Sequence, residues 1–158
     1  MDDNLKGSLD NRQTKGEFLV LFGRLHQKHR ISSFEREPKF RIAATGKRTQ
    51  VDFRIGFNEE KHLCEIKALC ISQAAGTPRN LQFYFRDDQV GLIKDFRKLD
   101  QLQGKNKWVL GFVYPKPEEA RWNRAVDSLA SEFHHWKVVT PLSEASDALF
   151  VTLWHAEV

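Results

Sequence analysis

Cysteine is scarce in this chain of 158 residues, which contains only Cys64 and Cys70. Two thiols without a nearby cluster of cysteines and histidines argue against both a disulfide framework and a zinc site. No apolar run approaches the roughly 20 residues that a membrane helix needs, so we expect no membrane partner. The N-terminal residues are polar and include no apolar signal region, which predicts a protein that stays in the reducing cytoplasm.

Internal repeats, low-complexity segments and linkers rich in glycine, proline or serine are also absent from the sequence. The length, with 41% hydrophobic and 29% charged residues, predicts one folded domain. We expect residues 1–10 to form a flexible tail and residues 11–158 to form that domain. The net charge of +4 is compatible with a polyanionic partner but does not identify one.

Three segments carry apolar residues at the spacing of a buried helix face. They lie within residues 15–29, 86–104 and 117–133. The residues expected to be buried are Phe18, Leu21, Phe22 and Leu25 in the first segment, Leu92, Ile93, Phe96 and Leu99 in the second, and Trp122, Ala125, Val126, Leu129 and Phe133 in the third.

Alternation of apolar and polar residues predicts a strand over residues 51–57, and residues 62–69 form the return strand of a hairpin. A first strand is expected to start after Pro38. Later strands are predicted at residues 107–115, 136–142 and 148–154. Helices interspersed with strands in this order predict an α/β or α+β layer fold with a mixed sheet flanked by helices.

The predicted hairpin contains charged residues where strands rarely carry them, namely Asp52, Glu65 and Lys67. Side chains alternate across a strand, so Glu65 and Lys67 share a face. A loop of two or four residues places Asp52 directly opposite Glu65, with Cβ atoms about 4.5–5.5 Å apart. A three-residue loop turns the two acids to opposite faces. The sequence leaves the loop length open.

Two opposed carboxylates repel each other unless a cation lies between them. Mg²⁺ prefers oxygen ligands and is commonly held by one or two carboxylates with phosphate, and the carbonyl oxygen of Ile66 could add a ligand. Lys67 could hold an attacking water or stabilise developing phosphate charge. The set suits metal-assisted hydrolysis of phosphodiesters. The alternative is a sheet face whose charges are simply solvated.

The pair Val51-Asp52, followed by Glu65-Ile66-Lys67, resembles the motif of the PD-(D/E)xK nuclease superfamily. The resemblance extends over residues 17–115, and the region after the motif is similar to Holliday junction resolvases. It implies an α/β, restriction endonuclease-like αβββαβ core, here followed by an extra C-terminal helix and strands. It also implies cleavage of duplex or branched DNA with Mg²⁺, or with Mn²⁺. Asp52 and Glu65 would bind the metal while Lys67 assists the water.

The resemblance carries over to two further residues. Glu17 resembles an additional acid that completes the metal site, and Gln89 resembles a glutamine that points toward that site. Lys47 and Arg48 in a basic turn, with Arg79 in a later loop, could contact phosphates, which positions a duplex without reading its sequence. The alternative for Glu17 is a first-turn glutamate that the helix dipole favours. The alternative for Gln89 is a solvated flank of the apolar stripe, and for the three basic residues it is a solvated charge run.

Other assignments remain open from the sequence. Gln50 stands where the family has proline, and Glu35 and Glu37 compete with Glu17 for the role of additional acid. A homodimer would fit the resemblance, because both strands of a duplex must be cut. A non-catalytic module that binds nucleic acid or protein on the same fold is the alternative function, because a fold does not dictate chemistry.

Overall fold

The computed structural model describes residues 11–71, 81–86, 91–144 and 150–158. The helices within these ranges are α1 (Asn11–Gln27), α2 (Leu92–Asp100) and α3 (Glu119–Asp127), with 3-10 helices at Leu81–Phe85 and Ser131–Phe133. The strands are β1 (Ser33–Arg36), β2 (Lys39–Arg41), β3 (Arg48–Gln50), β4 (Phe53–Phe57), β5 (Glu60–Cys70), β6 (Lys107–Tyr114), β7 (Trp136–Glu144) and β8 (Phe150–Ala156). None of these helices has the length and apolar content of a bilayer-spanning helix. The predicted tail at residues 1–10 lies outside the described residues.

Six strands form one mixed sheet in the order β1-β4-β5-β6-β8-β7, and β2 and β3 form a separate two-stranded ribbon. β5 and β6 are parallel, whereas the other neighbours in the sheet are antiparallel. Parallel neighbours need a long crossover, and the one between β5 and β6 includes α2. The prediction of an α/β protein with a mixed sheet and flanking helices is therefore confirmed.

The hairpin of β4 and β5 has a two-residue loop at residues 58–59. Both loop residues have positive φ angles, 48° and 63°, as the tight hairpin turn that matches strand twist requires. Phe53 pairs with Cys64, so the preceding Asp52 lies opposite Glu65. The register that brings the two acids to one face is therefore the observed one.

Helices cover both faces of the sheet. α1 packs on one face, where Phe22 contacts a cluster that includes Phe53, Cys64 and Ile66. Because side chains alternate along β5, Glu65 and Lys67 point to the other face, toward the larger core that contains α2 and α3. The predicted buried face of α2, Leu92, Ile93, Phe96 and Leu99, is confirmed.

Three expectations about the elements were wrong. Leu21 is 44% exposed, and Leu19 packs on the sheet beside Phe18 and Leu25 instead. The first strand begins at Ser33, before Pro38, and ends where the backbone of Glu37 turns to a φ of 54°. Proline cannot donate to the strand ladder, so the chain resumes after it as the separate strand β2. The third helix ends at Asp127 and not at residue 133. Leu129 therefore lies beyond it, and Phe133 belongs to the short 3-10 helix Ser131–Phe133.

Candidate active site

Two buried carboxyl groups converge beside the β4–β5 hairpin. Asp52 is 6% exposed and lies in the bend between β3 and β4, while Glu65 is 3% exposed and belongs to β5. Oδ2 of Asp52 accepts a hydrogen bond of 2.8 Å from the backbone N–H of Ile66, which holds this carboxylate over the neighbouring strand. The two carboxyl groups are close enough for the negative charge of Asp52 to raise the pKa of Glu65. The two acids therefore share one side of the sheet.

Lys67 lies on the same face and contacts a third acid, Asp95 of α2. Its Nζ atom is 3.2 Å from Oδ2 of Asp95, whose side chain is 5% exposed. Asp95 occurs within the apolar stripe of α2, one turn after Leu92 and one turn before Leu99. Sequence analysis missed it, although a charged residue within a buried stripe was a signal that could have been followed.

Two further lysines neutralise the acids. Nζ of Lys15, on α1, is 2.5 Å from Oδ1 of Asp52. Nζ of Lys98, one turn beyond Asp95 on α2, forms an ion pair with Oε1 of Glu65 and donates a 3.2 Å hydrogen bond to the carbonyl oxygen of Gln50. We call Asp52, Glu65, Asp95, Lys15, Lys67 and Lys98 the acid–lysine cluster.

Burial and crowding of negative charge raise the pKa of Glu65 to about 8. Burial is the largest cause, and the carboxylates of Asp52 and Asp95 add to it against the opposing effect of Lys98. Burial also raises the pKa of Asp95, although Lys67 opposes it. For Lys98 burial is the largest effect and lowers the pKa, but the carboxylates of Glu65, Asp95 and Asp52 together outweigh it and leave the pKa raised. Lys98 therefore stabilises the carboxylate of Glu65 by less than burial and the two neighbouring acids destabilise it.

The residues fit a magnesium-type ion better than a zinc ion. Oε1 of Glu65 and Oδ2 of Asp95 are buried, and each has an ammonium group at ion-pair distance. Mg²⁺ keeps several waters and needs only one or two carboxylates, whereas zinc takes three or four protein ligands. Within the described ranges no group of three or more His, Cys, Asp or Glu residues could hold a metal ion. Asp52 and Glu65 offer carboxylate oxygens, which are the donors that Mg²⁺ prefers.

Comparison with known protein families, curated proteins and solved structures found no match.

Three of the remaining predicted site residues, Glu17, Lys47 and Arg48, are described and lie outside the acid–lysine cluster. Glu17 is exposed on α1, about 200° around the helix axis from Lys15, so the lysine rather than the glutamate reaches Asp52. Lys47 and Arg48 are exposed at the end of the β2–β3 ribbon. Gln89 and Arg79 lie outside the described residues. The metal-ligand role of Glu17 stays a prediction.

The structure also describes Glu35 and Glu37, the alternatives to Glu17 as the additional acid, and Ile66, whose carbonyl oxygen was expected to bind the metal. Glu35 pairs with Arg54 on the neighbouring strand, and Glu37 is exposed beside Arg36. The Ile66 side chain is 2% exposed and packs on the α1 face, and its backbone N–H is used by Asp52. Its carbonyl oxygen as a metal ligand remains a prediction.

Proposed function

We propose that the protein is a nuclease that uses Mg²⁺ to hydrolyse DNA phosphodiester bonds, in repair, recombination or restriction. The observation that carries the proposal is the convergence of Asp52 and Glu65 on one side of the hairpin, buried and with the pKa of Glu65 raised. A divalent cation between these groups would relieve their repulsion. The order α1, β1, β4, β5, α2, β6 also supports a restriction endonuclease-like core.

The residues have separate roles in this proposal. Asp52 and Glu65 would hold the ion, which when bound supplies Lewis-acid stabilisation to a phosphoryl oxygen. Lys67 would orient a water and stabilise charge on the phosphate, and Asp95 fixes its ammonium group at 3.2 Å. Lys98 already has a second acceptor in the carbonyl group of Gln50, so it keeps a partner when Glu65 turns to the ion.

One observation favours a second function, a non-catalytic module that binds nucleic acid or protein. Asp52, Glu65 and Asp95 each pair with one lysine, so the cluster is formally neutral without a metal. Buried charges are tolerated when they are paired, and such a set could simply hold α1 and α2 on the sheet. On this alternative the acids are structural.

A cleavage assay separates the two functions. Plasmid and branched DNA are incubated with the protein in Mg²⁺, in Mn²⁺ and in chelator. The nuclease requires a metal, and Lys67→Ala loses on the order of 10²–10³ in rate, as for loss of one preorganised donor. Lys61→Ala is the matched control, because Lys61 lies on the same face of the same strand, about 20 Å away, and is exposed.

The outcomes are distinct. Metal-dependent cutting that is lost in Lys67→Ala and kept in Lys61→Ala supports the nuclease. DNA binding without cutting in any metal supports the module. A crystal soaked in Mn²⁺ gives an independent answer, because the nuclease predicts anomalous density between Asp52 and Glu65.

A further inference from the structure

The β2–β3 ribbon continues the strand pairing that leads to the candidate site. Arg36 pairs with Phe53 in the main sheet, and Lys39 pairs with Gln50 in the ribbon. Between these pairs, Glu37 N donates to the carbonyl oxygen of Asp52 at 2.8 Å, and Val51 N donates to that of Pro38 at 3.1 Å. One long antiparallel hairpin therefore passes through Asp52 and extends beyond the sheet.

The ribbon has an apolar face and a basic face. Phe40 packs against the core, and Ile42 and Val51, which are 7% and 0% exposed, belong to that core. Because neighbouring side chains alternate, Lys39, Arg41 and Arg48 project from the opposite face, where all three are exposed. Lys47 is exposed in the turn beside them. We call these four residues the basic face of the ribbon.

Among the described residues, no acidic side chain forms an ion pair with a cation of the basic face. No acidic residue occurs between Pro38 and Val51, a segment with four cationic residues. Arg41 donates a 3.2 Å hydrogen bond to the carbonyl oxygen of Gly46, which braces the turn without neutralising the guanidinium group. Four cations on one exposed surface attract a polyanion.

The β2–β3 ribbon ends beside the acid–lysine cluster. The carbonyl oxygen of Gln50, at the end of β3, accepts the hydrogen bond from Lys98. Asp52 follows two residues later. At about 3.3 Å per residue the distance along the strand from Lys47 to Asp52 is about 16 Å. That length matches about five base-pair steps of a duplex at 3.4 Å each.

We propose that the basic face of the ribbon binds the phosphate backbone of duplex DNA and leads one strand to the acid–lysine cluster, an inference that rests on the proposed nuclease function. Phosphate contacts from lysine and arginine position a duplex. Proteins that grip single strands add aromatic side chains for base stacking. The one aromatic residue of the ribbon, Phe40, packs inward against the core. The surface therefore suits a duplex and not an unstacked strand.

Binding is measured without cleavage, by fluorescence anisotropy of a fluorescein-labelled DNA duplex in chelator between about 50 and 200 mM salt. Each lost phosphate contact reduces the slope of log affinity against log salt by about 0.9, so Arg41→Gln/Arg48→Gln should lose about 1.8. Arg121→Gln/Arg124→Gln is the matched control, since it removes two exposed arginines from α3. The control should keep the slope of the wild type.

A slope unchanged in the ribbon variant, or reduced equally in the control, overturns the inference. Binding of the labelled single strand, or of an RNA duplex, as tightly as the DNA duplex also overturns it. Lys39→Gln/Lys47→Gln, with the same expected loss, replaces the arginine variant if circular dichroism shows that variant unfolded. Loss of binding in a protein that cuts no DNA keeps the ribbon inference and refutes the nuclease. If the protein cuts DNA and the ribbon variant binds the duplex as the wild type does, the nuclease function is kept and the ribbon inference is refuted.

Discussion

Replacing Glu65 by glutamine should stabilise the metal-free protein at neutral pH. The carboxyl group is 3% exposed and lies beside Asp52 and Asp95, so its negative form is disfavoured in the folded state. Glutamine has nearly the same shape and carries no charge. The variant therefore removes the unfavourable ionisation while it keeps the packing of β5 against α2.

The magnitude follows from the pKa of Glu65, which rises from 4.5 in the unfolded chain to about 8 in the folded protein. A raised pKa means that the folded state binds the proton more tightly, so the stability from this group is complete below pH 4.5 and is lost as pH rises toward 8. At 1.36 kcal/mol for each pH unit the loss is about 3 kcal/mol by pH 7 and about 5 kcal/mol above pH 8. The glutamine variant has no such loss.

The measurement is the free energy of unfolding in guanidinium chloride, with chelator, from about pH 5 to 8. The difference between Glu65→Gln and the wild type should grow steadily over this range. Glu60→Gln is the control, because Glu60 is the exposed end of the same strand and its hydrogen bond with Lys105 lowers its pKa. A lowered pKa has the opposite sign, so that variant should lose stability above pH 4.5.

One result would refute the reasoning. If wild type and Glu65→Gln differ by the same amount at pH 5 and at pH 8, the carboxylate is not crowded by other acids. The case for a cation at this position would then lose its electrostatic basis, whatever the cleavage assay shows.

Five other variants test single features of the structure. Asp52→Ala should lower the free energy of unfolding by about 1–3 kcal/mol, because it leaves the buried N–H of Ile66 unpaired, whereas Asp52→Asn keeps an acceptor and should match or exceed the wild type in chelator. In a cleavage assay, Asp95→Asn should reduce the rate and leave the affinity for duplex DNA unchanged, because it removes the charge that holds the motif lysine. Gly91→Ala should cost about 1–3 kcal/mol in thermal unfolding, since its Cβ would lie 2.6 Å from a backbone oxygen, while Gly16→Ala in open space on α1 should stabilise by up to about 1 kcal/mol.

The two strands of the β4–β5 hairpin were within reach of the sequence, because a half-buried strand shows its period of two directly. The loop length was not, since residues 58–59 are not the asparagine–glycine pair that marks a tight turn. The break at Pro38 was interpreted as the start of a strand, whereas it divides a single long hairpin into β1 and β2. A proline shows where pairing stops but not which side of it pairs with the main sheet.

The sequence predicts the hairpin residues of the site but not the residues that the helices contribute. Asp52, Glu65 and Lys67 lie on one hairpin, so local geometry alone brings them together. Lys15 and Lys98 reach the acids from helices whose orientation on the sheet depends on tertiary packing. A period of 3.6 reveals which face of a helix is buried but not which strand residue its flanking side chains meet.

A formally neutral cluster is what a divalent-metal site needs before the metal arrives, because buried acids without partners would destabilise the fold. Adding a doubly charged ion to three acids and three lysines leaves an excess of positive charge near the end of the β2–β3 ribbon. A phosphodiester backbone supplies the compensating negative charge at that place. Under the proposed function, metal and DNA therefore favour each other's binding, and the lysines freed from Asp52 and Glu65 become available to phosphate oxygens. Under this proposal the acids pair with lysines in the metal-free protein, and they pair with the metal ion when the lysines contact phosphate.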